Sequence, residues 1–152
     1  VPRLYPLARR GSDFARSCRV LRNAKLMGGE RVRTKSGLMV GLGETFDELL
    51  ETLWLLREHH VEIVTVGQYL RPSRNHLPVV RYWHPDEFAA IEREAYAMGF
   101  SAVAAGPLVR SSYQAEQTLR AAADAGAAEG SGRLVNRTAA SVSASGPRPA
   151  AA

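Results

Sequence analysis

The chain has 152 residues, a length suited to one domain, and its 45% of apolar residues can supply a core of modest size. Its formal charge of +5 arises from Lys and Arg interspersed with acids rather than gathered into a stripe with aromatics, which argues against nucleic-acid binding. No run approaches the ~20 apolar residues that span a bilayer, and the single cysteine, Cys18, rules out a disulfide framework or a multi-cysteine metal site built by this chain alone.

Val1 to Arg10 carries two prolines in an irregular pattern and reads as a connector, and with no initiating Met the chain is expected to begin inside a longer protein. Gly11-Ser12-Asp13 opens a helix with Ser12 as its N-cap; Phe14, Cys18 and Leu21, joined by the stem of Lys25, share one face, and Gly28-Gly29 ends it. On that face Cys18 reads as packing, because a buried thiol behaves as a small hydrophobe. A strand follows over Val32 to Leu42. Its exit, Gly41-Leu42-Gly43, suits either a tight strand-to-helix turn or a close approach of backbone to a ligand or a neighbouring strand.

Thr45 to Glu48 fits a capping box, and the helix that follows runs to about His60 with an apolar stripe that includes Leu49, Leu53 and Leu56. His59 and His60 sit where a cation favours the helix dipole, a reading preferred to metal binding. Glu62 to Gly67 is a β-branched strand, and Gln68 to Ser73 leave its C-terminal end. His84-Pro85-Asp86-Glu87 starts a third helix whose buried face is Phe88, Ile91, Ala95 and Met98 and which Gly99 ends. Ser101 to Ala105 reads as a short buried strand, with Gly106-Pro107 turning the chain outward. Tyr113 to about Ala125 suggests a last helix, and residues 126–152, rich in Ala, Ser, Gly and Pro, are expected to be disordered. Alternating strands and helices imply an α/β fold of parallel strands with right-handed crossovers.

The segment Gly106-Pro107-Leu108-Val109-Arg110-Ser111-Ser112-Tyr113 delivers two hydroxyls and a guanidinium to a strand's C-terminal end, where α/β folds place ligands; alternatively its serines cap the next helix. Together with Thr34 to Thr45 and Gly67 to Val79 it closely resembles the C-terminal half of the lipoyl synthase family of radical S-adenosylmethionine (SAM) enzymes, from about Val1 to about Gln117. The resemblance implies the second half of a partial (β/α)6 TIM-like barrel over residues 1–125, followed by the tail. It implies insertion of two sulfur atoms into a protein-bound octanoyl-lysine, with SAM and two 4Fe-4S clusters as cofactors. In that picture Gly37, Met39, Gly41 and Glu44 line or shape the SAM pocket, Lys35 meets its carboxylate, and Gln68, Tyr69 and Leu70 pack near adenine. Arg71, Arg74 and His76 face the substrate or belong to a solvated loop. Ser112, with Ser111 as second choice, is the oxygen ligand of the sulfur-donating cluster, supported by Arg110 and Tyr113.

The implied partners are octanoylated lipoyl domains, the glycine cleavage H protein, and an electron donor such as ferredoxin or flavodoxin, with no nucleic acid or membrane. The implied compartment is the mitochondrial matrix in a eukaryote or the cytoplasm in a bacterium. The departure is large: both cysteine triplets of the family are absent, so this chain alone is expected to assemble neither cluster and to be inactive by itself. A non-catalytic binding or scaffold module and another radical SAM sulfur-inserting enzyme are the alternatives.

Overall fold

In the computed structural model, which describes residues 1–112, three parallel strands pair in chain order: β1 (Lys35–Val40), β2 (Ile63–Gln68) and β3 (Ala102–Gly106). Four helices accompany them: α1 (Tyr5–Ala8), α2 (Phe14–Gly28), α3 (Phe46–Glu58) and α4 (Pro85–Ala97). The expected helix from Tyr113 and the tail 126–152 lie outside the described residues.

Strand alternation gives the sheet two unlike faces. Val40, Val64, Val66 and Val103 point to one of them and join Leu49 and Leu53 of α3 and Phe88 and Ile91 of α4 in a single core. Both connecting helices therefore cover the same face, and with the strands in chain order the sheet winds in one direction. Lys35, Gly37 and Met39 of β1 share the other face with Ile63, Thr65 and Gly67 of β2 and with Ala102, Ala104 and Gly106 of β3. Small side chains dominate that second face, so another piece of backbone can lie close on it.

The helix ends follow from local chemistry. Thr45 and Glu48 form the reciprocal capping box, and His84 caps α4 with Pro85 in its first turn and Glu87 returning to the His84 amide. At α2 the cap is Asp13 rather than Ser12: its carboxylate accepts from the Arg16 amide at 2.7 Å. Both residue types cap well, and the choice falls to Asp13 because Phe14 must already be helical to pack against the core. Cys18 lies on the buried face of α2, 1% exposed. His59 closes α3 with Nδ1 2.8 Å from the Leu55 carbonyl oxygen.

Two ion clusters tie these elements together. Glu62, at the entrance to β2, accepts from Lys25 of α2 (3.1 Å), from Arg33 (2.6 Å) and from the Thr34 amide (3.1 Å). Burial pushes its carboxyl up, but the bonds from Lys25, Thr34 and Arg33 outweigh burial and hold it below the usual carboxylate range. On the opposite side Arg3 donates to both Glu48 oxygens and to the Gly43 carbonyl (2.8 Å), fastening the N-terminal segment to the start of α3. The Arg3 bond, followed by the Thr45 amide, lowers the Glu48 carboxyl from its ordinary 4.5 to about 2.

A depressed carboxylate contributes stability above its unfolded pKa and loses it as the pH falls through the folded one. The N-terminal segment is therefore expected to loosen between pH 4.5 and about 2, seen as a titration of the Arg3 and Gly43 amide resonances that Glu48→Gln abolishes. An unchanged titration in that variant would contradict the assignment.

Candidate functional site

The strands' C-terminal ends are built around two glycines with left-handed φ, Gly41 (+102°) and Gly43 (+105°). At Gly41 space matters as much as conformation: a Cβ there would lie 2.2 Å from Gln68 Nε2 and 2.6 Å from the Arg81 carbonyl oxygen. Gln68 is the clamp of this region. Its Nε2 donates to the carbonyls of Arg81 (3.1 Å) and Tyr69 (3.2 Å), and its Oε1 accepts from the Trp83 amide at 3.0 Å. Glu44, 6% exposed, accepts from the amides of Gly41 and Leu42 and so fixes the turn itself.

Beside this clamp opens a cleft of about 590 Å³, within the usual size of small-molecule sites. Met39, Leu42, Tyr69 and Leu70 give it apolar walls, while Arg10 and Arg110 bring guanidinium groups and His76 an imidazole ring. Among the described residues no acidic side chain lines it, so an anionic group on an otherwise apolar ligand suits it. A smaller hollow of about 280 Å³ lies between the N-terminal segment and β1, with Gly37, Met39 and Glu44 in its wall.

The structure gathers six of the residues singled out in the sequence at the cleft and leaves the others among the described residues outside its lining. Met39, Gln68, Tyr69, Leu70, His76 and Arg110 meet at the cleft. Gln68 has its amide spent on backbone partners and shapes the cleft, and Tyr69 hydroxyl donates to the Leu77 carbonyl at 3.0 Å. Arg71 is committed to its own loop through the carbonyls of His76 (2.9 Å) and Arg74, while Arg74 is exposed. His76 is held by Ser73, whose Oγ is 2.9 Å from Nδ1. Lys35 starts β1, five residues before Val40, which at ~3.3 Å per residue puts it roughly 16 Å from the cleft end of the strand. Arg10 was hidden in sequence because the segment read as a connector has no periodicity to show which way it faces.

The loop 107–112 departs from expectation. It does not turn outward but folds back across the second face of the sheet. Val109, 7% exposed, anchors it; its carbonyl oxygen lies over Gly67 of β2, and Ser111 Cβ comes within 3.6 Å of where a Cβ of Gly37 on β1 would be. Arg110 Nη1 donates to the carbonyls of Val109 (2.7 Å) and Pro107 (3.3 Å), bracing the fold-back. An apolar residue at position 109 and a glycine beneath it explain the turn inward. Ser111 and Ser112 are exposed, and Tyr113 lies outside the described residues.

Known proteins resemble the chain in sequence. A lipoyl synthase from Bordetella pertussis is 58% identical over 122 residues, which is 80% of this chain and 36% of that relative. One from Aromatoleum aromaticum is 60% identical over 117 residues, 77% of the chain and 37% of the relative. Over this stretch the chain is a homologue of lipoyl synthase. A lipoyl synthase from Pseudomonas entomophila is 57% identical over 117 residues and is covered to 34% of its length. The chain thus spans little more than a third of the lipoyl synthases it matches, and these bacterial relatives lend no support to the mitochondrial alternative. No protein-family model matches the chain.

The residues present do not make a complete iron–sulfur site. Cys18 is buried in the helix-side core, and among the described residues no group of three His, Cys, Asp or Glu side chains could hold a metal ion. The cleft, by contrast, has the size and the apolar walls that an adenosine-bearing cofactor such as SAM needs, and its guanidinium groups match that cofactor's carboxylate but not its sulfonium or ammonium. Among the described residues no helix is long and apolar enough to cross a membrane.

Proposed function

We propose that the chain serves as the C-terminal part of a lipoyl synthase, contributing one wall of the SAM cleft and the serine loop to sulfur insertion at two carbons of a protein-bound octanoyl-lysine. One observation carries the reading: three motifs far apart in sequence converge on one cleft, Met39 and Leu42 from the first, Gln68 to Leu77 from the second, and Arg110 from the third. SAM, with iron–sulfur clusters whose cysteines lie outside this chain, supplies the radical and sulfur chemistry. This chain's residues bind and orient. Met39, Tyr69 and Leu70 seat the adenosine side, and Gln68, Gly41 and Glu44 hold that wall rigid. Arg10 and Arg110 take the carboxylate, a role that the distance of Lys35 from the cleft transfers to them.

Ser112, with Ser111 as second choice, provides the oxygen ligand, a hard donor suited to an iron that must be released. The sheet's one-sided winding favours the later part of a partial (β/α)6 barrel, whose earlier strands would add to the free edge of β1. Octanoylated lipoyl domains, including the glycine cleavage H protein, are the substrates, a ferredoxin or flavodoxin is the electron donor, and the bacterial cytoplasm is the compartment. The comparisons favour neither the scaffold alternative nor a different sulfur-inserting reaction.

The reading is tested by a chimera in which this chain replaces the homologous third of the Bordetella pertussis protein, expressed in bacteria that lack lipoyl synthase. Growth without added lipoate is the expected result. A soluble chimera that cleaves SAM but supports no growth would overturn it.

A further inference from the structure

We propose that Gly67, in the middle strand of the sheet, is a positioning residue that sets the height of the serine loop, an inference that rests on the loop's role proposed above. The loop crosses one glycine on each strand: Gly106 on β3, Gly67 on β2 and Gly37 on β1. The three are not equivalent. A Cβ at Gly37 would meet Thr65 Oγ1 at 3.2 Å and Ser111 Cβ at 3.6 Å, and one at Gly106 would meet the Val109 Cγ2 methyl at 3.3 Å, all of them side-chain contacts that a shift of a few tenths of an ångström relieves. At Gly67 the Cβ would lie 2.0 Å from the Val109 carbonyl oxygen and 3.1 Å from its carbon, so the collision is with backbone.

Gly67 does not have the left-handed φ of Gly41 or Gly43, so its backbone accepts alanine, and the demand for glycine there comes from the loop alone. Neither party yields easily. β2 is paired on both sides and its Val64 and Val66 are fully buried, so the sheet stays in place. The Val109 carbonyl is braced by Arg110 and its side chain is buried, so the loop can relieve the collision only by rising. Carbon–oxygen contacts settle at ~3.3–3.6 Å, so a methyl at position 67 would lift the carbonyl by roughly 1 Å or more. Ser111 and Ser112 follow two and three residues later and would be carried with it. A displacement of ~1 Å is enough to lower a rate ~100-fold where geometry governs the step.

The test compares Gly67→Ala with Gly106→Ala in the full-length chimera, reading hydrogen exchange of the 108–112 amides and the ratio of lipoyl product to SAM cleaved. Gly67→Ala is expected to speed exchange in that loop about tenfold or more while β2 and α3 keep their protection. It should also lower product per SAM cleaved about 100-fold. Gly106→Ala should leave both near the parent values. Should Gly67→Ala lose protection throughout, Val109→Ala removes the anchor from the loop side without touching the sheet and is expected to give the same two effects. Unchanged loop exchange in Gly67→Ala, or in Val109→Ala where that variant replaces it, overturns the seating. Faster exchange with normal product overturns the positioning role. A parent chimera that makes no product refutes the proposed function instead, and the exchange data still decide whether the loop rests on Gly67.

Discussion

Gly41→Ala is expected to be the most destabilising single-methyl change in the described part of the chain. The alanine would have to hold φ of +102°, which costs about 1–3 kcal/mol for a residue with a Cβ. Its methyl would also enter the space of Gln68 Nε2 and the Arg81 carbonyl, breaking the bond between them and stranding the buried Gln68 amide at about 1–3 kcal/mol. The damage spreads because the clamp carries Trp83, which is 4% exposed, stacks on Phe46 at 6.1 Å and lies under the Arg81 guanidinium at 3.9 Å. A total of roughly 3–5 kcal/mol is a large part of a small domain's stability and should lower the midpoint of thermal unfolding by more than about 10 °C. Gly43→Ala is the control. It has nearly the same φ, +105°, but its methyl would meet nothing nearer than the Val80 side chain at 3.6 Å, so it bears backbone strain alone. Equal losses in the two variants would show that the Gln68 clamp contributes nothing.

Ser112→Ala is expected to change chemistry and leave the fold almost untouched. Ser112 is exposed, and surface substitutions of this kind usually stay within about 0.5 kcal/mol. In the chimera, SAM cleavage should continue near the parent rate while lipoyl product falls about 100-fold or more, the scale on which a misplaced reacting group is felt. Ser111→Ala distinguishes the two hydroxyls. Ser111 packs toward Gly37 through its Cβ, which alanine keeps, so its replacement should leave the loop in place and lower product by a smaller factor. A larger loss in Ser111→Ala would exchange the two roles, and full product from both variants would remove the loop from the reaction. Liquid-chromatography mass analysis of octanoylated lipoyl domain, scored against 5′-deoxyadenosine formed, supplies both readouts in one sample.

What the sequence made legible was local. The capping box at Thr45, the proline-led start at Pro85 and the glycine stops after α2 and α4 are each set by a few adjacent residues, and the structure repeats them. Where two adjacent residues offered the same chemistry, as Ser12 and Asp13 did, the core decided through Phe14. The larger misses were long-range. Nothing near Gln68 in sequence announces that its amide will be consumed by Arg81 and Trp83, thirteen and fifteen residues later. A glycine inside a strand is a general sign of close backbone approach, yet Gly67 looked like an ordinary strand end until Val109 was seen above it. Lys35, which its motif put beside the SAM carboxylate, starts β1 at the end away from the cleft.

Incubating the purified chimera with SAM, reductant and octanoylated lipoyl domain, and weighing the intact domain afterwards, tests the central claim most directly. If this chain is a working part of a lipoyl synthase, the domain gains two sulfur atoms in place of two hydrogens, and the gain disappears in Ser112→Ala. A chimera that folds and cleaves SAM as the Bordetella pertussis protein does, yet leaves the octanoyl chain unaltered, would contradict it.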